Sequence, residues 1–155
     1  MFPKLWTLLH LFTAFSFVGS LAVAEGVSRA TRASKDWGQR ALLFQIAKRA
    51  GLMAGFIPLV LTGILGNVAS VTRGYHMATD VWLRWSNGLW LVAVLVMAFL
   101  NLPAVYRLAA QSSTASGDSE PAGYAASLGR WRVSNVMLTA TYVAMLVVMV
   151  YGPRA

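Results

Sequence analysis

The stretch LWTLLHLFTAFSFVGSLAVA, residues 5–24, contains no Asp, Glu, Lys or Arg. Coiled as a helix, at about 1.5 Å per residue, it reaches across roughly 30 Å, the thickness of a bilayer's hydrocarbon core. Three more stretches share this property: residues 50–72, 85–106 and 133–153. A segment in lipid must satisfy its own backbone hydrogen bonds, and four isolated apolar runs of this length can do so only as helices. Four of them in 155 residues leave almost no chain for a soluble domain. The expected fold is therefore all-α: a polytopic membrane protein, one integral membrane domain over residues 1–155. It forms an antiparallel four-transmembrane-helix bundle with spans near 5–25, 50–72, 83–107 and 132–152.

Charge supports this reading and orients it. The net charge of +8 could suggest nucleic acid. The basic residues, however, gather at the ends of the apolar runs, as they do in proteins oriented by the cytoplasmic excess of Lys and Arg, so no nucleic-acid partner is expected. Arg29, Arg32, Lys35, Arg40, Lys48, Arg49, Arg107, Arg130 and Arg132 fall on one side; Lys4, Arg73, Arg84 and Arg154 fall on the other. Nine against four places both long connections in the cytoplasm and both termini outside, in the bacterial inner membrane. Ala22-Val23-Ala24 before Glu25 has the form of a signal-peptide cleavage site. The basic cluster that follows favours a retained first span instead.

The connection from Glu25 to Arg49 carries Trp37, Ala41, Phe44 and Lys48 at helical spacing. It reads as a helix on the membrane surface or as an inward extension of the second span. The second connection, QSSTASGDSEPAG, reads as a flexible loop. The short segment 71–80 makes spans two and three antiparallel neighbours.

Polar residues inside spans face the bundle interior, because lipid cannot bond them. Thr7, His10, Thr13, Ala14, Phe17 and Ser20 share one face of the first span. The second span carries Gly51, Gly55, Pro58, Thr62, Gly63, Gly66, Asn67 and Ser70, with glycines spaced for close helix contact or for a flat cofactor. Pro58 is expected to bend the helix. Asn87 and Asn101 fall on nearly one face of the third span; Asn135, Thr139 and Tyr142 share a face of the fourth. Interhelical hydrogen bonding is the expected role of these groups.

With no cysteine, disulfides, zinc–thiolate sites, iron–sulfur clusters and covalent haem attachment are excluded. The chain's two histidines, His10 and His76, fall on the same expected side. Two imidazoles suit the axial positions of a b-type haem, so His10 and His76 are the candidate metal ligands. Met53, Met77 or Met97 are alternatives for the second position. Arg73 and Arg84 could pair with haem propionates, and Trp82, Trp85 and Trp90 could line a porphyrin face. His10 remains open between haem or metal ligand, structural partner and proton-handling group; His76 between ligand and solvated loop residue.

Leu8-Leu9-His10 followed by Phe17-Val18-Gly19 resembles the first span of several small four-helix bacterial membrane families. These are an uncharacterised integral membrane family (a domain of unknown function), the copper-resistance D-type proteins and the membrane protoporphyrinogen oxidases. The similarity to the first of these covers most of the chain: four spans, Leu61-Thr62-Gly63 in the second, Arg130-Trp131 before the fourth, and a short basic tail. The oxidase-like branch implies a haem ligand at His10. Phe17 stands where those families usually have Trp, and the spans hold no Lys of the kind the oxidase pattern carries.

No catalytic constellation is evident. The sequence favours a small accessory integral-membrane subunit of a larger electron-transfer complex, with lipid, other membrane subunits and quinone as partners and haem b near the outer face. A stand-alone haem-handling or redox membrane protein is the alternative. A small-solute or metal transporter is a weaker one, since the spans carry no acidic residue of the kind that couples cation or proton movement.

Overall fold

The computed structural model describes residues 2–115 and 119–152. The described chain is all-helical: α1 (Phe2–Ala33), α2 (Trp37–Ala50), α3 (Ile57–Val71), α4 (Val81–Val96), α5 (Leu102–Thr114) and α6 (Tyr124–Tyr151). Short π-helical segments, Gly51–Phe56 and Met97–Asn101, fuse α2 to α3 and α4 to α5. The result is four rods, each long and apolar enough to cross a membrane: Lys4–Ala33, Trp37–Val71, Val81–Thr114 and Tyr124–Tyr151. The protein is thus a multi-pass, four-helix membrane protein. Arg154 lies outside the described residues.

The rods are longer than the expected spans. Trp37–Val71 has 35 residues and reaches about 50 Å, well beyond the roughly 30 Å hydrocarbon core. The excess carries Arg29, Arg32, Arg40, Lys48 and Arg49 on α1 and α2, and Arg107, Arg130 and Arg132 on α5 and α6. We call this the basic end and the opposite one the histidine end. The connection after the first span is an extension of both flanking helices beyond the charge-free runs, broken only at residues 34–36. Asp36 stops the break by capping α2: its carboxylate accepts from the Gly38 and Gln39 N–H groups at 3.2 and 2.8 Å. Arg40 donates Nε and Nη2 to the Ser34 carbonyl at 3.0 and 2.7 Å, which closes the hairpin. The second connection is also shorter than expected. Gln111–Thr114 belong to α5, and the chain re-enters α6 through Gly123, whose φ of 75° suits glycine. Residues 116–118 lie outside the described part.

Pro58 and Pro103 explain the π segments. Proline lacks an N–H and its ring clashes with the carbonyl four residues back. Each π segment precedes a proline and widens the turn there: Ile57 N–H reaches Leu52 O, and Leu102 N–H reaches Met97 O, each five residues back. The Ala54 carbonyl, the one Pro58 cannot bond, accepts from Ser16 Oγ on α1 at 3.2 Å. The distortion also corrects one expectation. Asn87 and Asn101 do not share a partner. A π turn holds extra residues, so the helix face after it lags by up to about 100° per added residue. Asn87 therefore meets Asn67 on α3, while Asn101 Nδ2 donates to Ser134 Oγ and Asn135 Oδ1 on α6, at 2.9 and 2.8 Å. Replacing Asn101 by Ala should cost about 1–2 kcal/mol, read as a lower SDS concentration at half-unfolding in detergent.

Two buried cores hold the rods together. The middle one joins Phe17, Leu59, Ala93, Val96, Met97, Leu138 and Met145. The basic-end one joins Val27, Phe44, Leu108, Tyr124 and Trp131 among others, and lies largely on the stretches that extend past the charge-free runs. Its rings pack edge to face: Phe44 on Trp131 at 5.6 Å and Trp37 on Tyr124 at 5.1 Å. On α1 the polar face turns inward as expected, with Thr13, Phe17 and Ser20 buried, while Phe12 and Phe15 on the other side are exposed to lipid.

Candidate functional site

At the histidine end the rods part to leave a cavity of about 240 Å³. Its walls come from Thr7 and His10 of α1, Gly63, Gly66 and Asn67 of α3, Ser86, Asn87 and Trp90 of α4, and Met145 and Met149 of α6. Arg73, Tyr75 and Trp82 also border it. Tyr75 packs edge-on against Trp82 at 5.2 Å.

Two glycines allow this arrangement. A Cβ on Gly66 would lie 2.9 Å from His10 Cε1 and 3.0 Å from Nδ1, so that edge of the imidazole closes over bare backbone. A Cβ on Gly63 would fall inside the Trp90 indole. The glycines thus make room for flat rings, and those rings are this chain's own side chains. Each ring is then fixed by one hydrogen bond to α3. His10 Nδ1 lies 2.9 Å from the Thr62 carbonyl, and Trp90 Nε1 donates to the Leu59 carbonyl at 2.8 Å. A carbonyl only accepts, so Nδ1 carries a proton, and in the neutral imidazole Nε2 then presents a lone pair. Nε2 has no hydrogen-bond partner among the described residues.

The other polar groups divide into satisfied and unsatisfied. Asn67 and Asn87 bond each other reciprocally at 2.7 and 3.1 Å, and each also donates to a carbonyl of its own helix. They latch α3 to α4 and have little left for a ligand. Arg73 Nη2 donates to Thr7 Oγ1 at 2.9 Å. Ser86, only 5% exposed, has a buried hydroxyl with no partner among the described residues. A buried polar group left unpaired costs free energy and calls for an explanation.

Of the four cofactor residues expected from sequence, His10 and Arg73 border this cavity; His76 and Arg84 do not. His76 is exposed and organises its own loop: its N–H donates to Asp80 Oδ2 at 2.6 Å, and its carbonyl accepts from the Thr79 and Asp80 N–H groups. Arg84 is exposed on α4. Of the tryptophans, Trp82 and Trp90 line the cavity, and Trp85 is 65% exposed on the outer surface. Met53 and Met77 are exposed, and Met97 packs against Gly55. The sulfurs beside the cavity are those of Met145 and Met149, which sequence reasoning passed over, together with Ser86. All three lie in apolar helical runs with nothing in the pattern to single them out.

These residues meet only part of what haem requires. His10 is held as metal-ligating imidazoles are, with Nδ1–H on a backbone carbonyl and Nε2 open, and a methionine sulfur stands beside the same cavity. The space, however, lies below the roughly 300–1,000 Å³ of ordinary ligand pockets. It suits a single substituted ring and does not fit a porphyrin unless Trp82 or Trp90 moves.

No protein-family model, curated protein or solved structure matches the chain. The functional reading therefore stands on the site itself. One consequence is directly measurable: Gly66→Ala should displace His10 while leaving Thr62 and Trp90 in place. Spectra of ¹⁵N-labelled imidazole should show a changed Nδ1 environment, and unfolding should shift by no more than about 1–2 kcal/mol.

Proposed function

We propose that the chain is a small accessory integral-membrane protein that binds the reduced head group of a membrane quinol in the cavity beside His10. The observation that carries this is the pairing of an open imidazole lone pair with a one-ring cavity walled by Trp90, Met145 and Met149. A quinol presents two hydroxyls across one ring. His10 Nε2 accepts from one, and Ser86 of α4 would meet the other by turning its hydroxyl, now buried and unpaired in the cavity wall, toward the ring. A quinone carbonyl only accepts, so it gains nothing from a lone pair at Nε2. The site therefore prefers the reduced form. Arg73 at the rim adds positive charge, which favours a developing phenolate. The electron acceptor belongs to a partner complex, which makes this chain its quinol-holding subunit. The basic end faces the cytoplasm of a bacterial inner membrane, as the Lys and Arg distribution favours, and the cavity then opens toward the outer face.

Calorimetric titration of a short-tailed quinol into the purified protein tests the reading. The reduced form should bind roughly tenfold more tightly than the oxidised form, the equivalent of about one hydrogen bond. His10→Ala should remove that preference, and His10→Gln, which retains an acceptor, should restore part of it. Equal affinity for both redox forms in the native chain ends the quinol reading.

A second reading, haem b on His10, rests on the anchored Nδ1 and the neighbouring methionines. It requires the tryptophans to open. A Soret band in gently purified protein, lost in both His10→Ala and His10→Gln, decides for haem.

A further inference from the structure

A second cavity, of about 220 Å³, lies between α5 and α6 at the basic end, far along the rods from His10. Arg107, Gln111, Ser127 and Arg130 border it, with Gly123 at the start of α6. We infer that this cavity is a binding site for the phosphate of an anionic phospholipid, held between Arg107 and Arg130.

Three observations converge. The first is charge without compensation. Arg107 and Arg130 stand on neighbouring helices around one cavity, and among the described residues no acidic one borders it. Neither guanidinium has a hydrogen bond or ion pair among the described residues, where the ion pair is Arg29 with Glu25. Both arginines are exposed and free to turn toward an anion between them, and guanidinium groups bind phosphate in a bidentate fork. The second is depth. Arg107 follows directly on the charge-free run 85–106, and Arg130 lies three residues before the run 133–153. Both therefore sit where hydrocarbon gives way to head groups, the level of a lipid phosphate. Lys48 stands at the same level on α2, its ammonium 4.5 Å over the Tyr106 ring. The third is the surface below. Phe99, Val133 and Val136 of the same two rods are 69%, 59% and 69% exposed, so the rods present apolar side chains outward between the level of the cavity and the bilayer centre, where acyl chains lie. Basic pockets between transmembrane helices at the head-group level have the chemistry that holds anionic lipids. A soluble phosphate could satisfy the arginines but has no use for the apolar surface below them.

The test uses the full chain in detergent micelles with added phosphatidylglycerol or phosphatidylcholine, read by native mass spectrometry. Phosphatidylglycerol should remain as a one-to-one adduct under conditions that strip phosphatidylcholine. The double variant Arg107→Gln/Arg130→Gln should bind it roughly thirtyfold more weakly, from about 1 kcal/mol for each basic group. Arg107→Lys/Arg130→Lys should retain most of the charge attraction and bind in between. Circular dichroism and melting of the double variant in detergent check that the helices remain. Millimolar inorganic phosphate or glycerol phosphate should not displace the lipid. Equal lipid retention by native and double-Gln proteins overturns the site, and so does equal retention of phosphatidylcholine. Displacement by millimolar inorganic phosphate overturns the lipid as its occupant.

Discussion

Trp131→Ala should be the most damaging single truncation, lowering stability by roughly 3–5 kcal/mol. Trp131 is 1% exposed and packs on Phe44, itself fully buried, within the core that ties α2, α5 and α6 together at the basic end. This core lies partly beyond the hydrocarbon, where apolar burial against water contributes as it does in a soluble domain. Within the bilayer, truncation costs packing but not hydration, because lipid is itself apolar. A matched truncation there, Leu138→Ala, should therefore cost less, about 2 kcal/mol. SDS unfolding followed by tryptophan fluorescence and circular dichroism compares the two. A Trp131→Ala loss below 1 kcal/mol shows that the rods do not depend on this core.

Gly63→Leu should be the second largest effect, roughly 2–4 kcal/mol. Even a Cβ at this position would enter the Trp90 indole, and the ring cannot move without losing its bond to the Leu59 carbonyl at 2.8 Å. Displaced toward lipid or water, Trp90 should change its emission maximum, and α4 should pack less firmly on α3. Gly19→Leu is the control, because a Cβ there meets nothing within 4 Å. Equal tolerance at the two positions means that Trp90 does not sit on Gly63.

The four crossings were legible because hydrocarbon imposes a length and a composition that 155 residues can hardly disguise. The inner face of α1 was legible for the same reason: Thr13 and Ser20 have no partner in lipid. Rod length was not. Once Asp36 caps α2 and Arg40 holds the Ser34 carbonyl, charged residues continue the helices past the bilayer, whereas a hydropathy count stops at the first Arg. Helix phase was lost at the π segments, since the shift depends on how Pro58 and Pro103 are accommodated. At the candidate site, His10 stood out as an imidazole in an apolar run. Ser86, Met145 and Met149 did not, because a serine or methionine within a span has no pattern of its own. His76 and Arg84 lie at the same end of the rods as His10, but sharing an end does not bring residues to one cavity, and here Asp80 engages the His76 backbone within its own turn.

Whether the His10 cavity holds a quinol head is tested most directly by where a quinol analogue attaches. A photoreactive azido-ubiquinol, illuminated with the native protein in membranes and mapped by peptide mass spectrometry, reports its own position. The expected result is labelling of α1 around His10 and of α4 around Ser86 and Trp90, suppressed by excess unlabelled quinol and lost in His10→Ala. Labelling spread over lipid-facing side chains such as Leu8, Phe12 and Phe99, unaffected by competitor, contradicts the assignment and leaves His10 as a helix-packing residue.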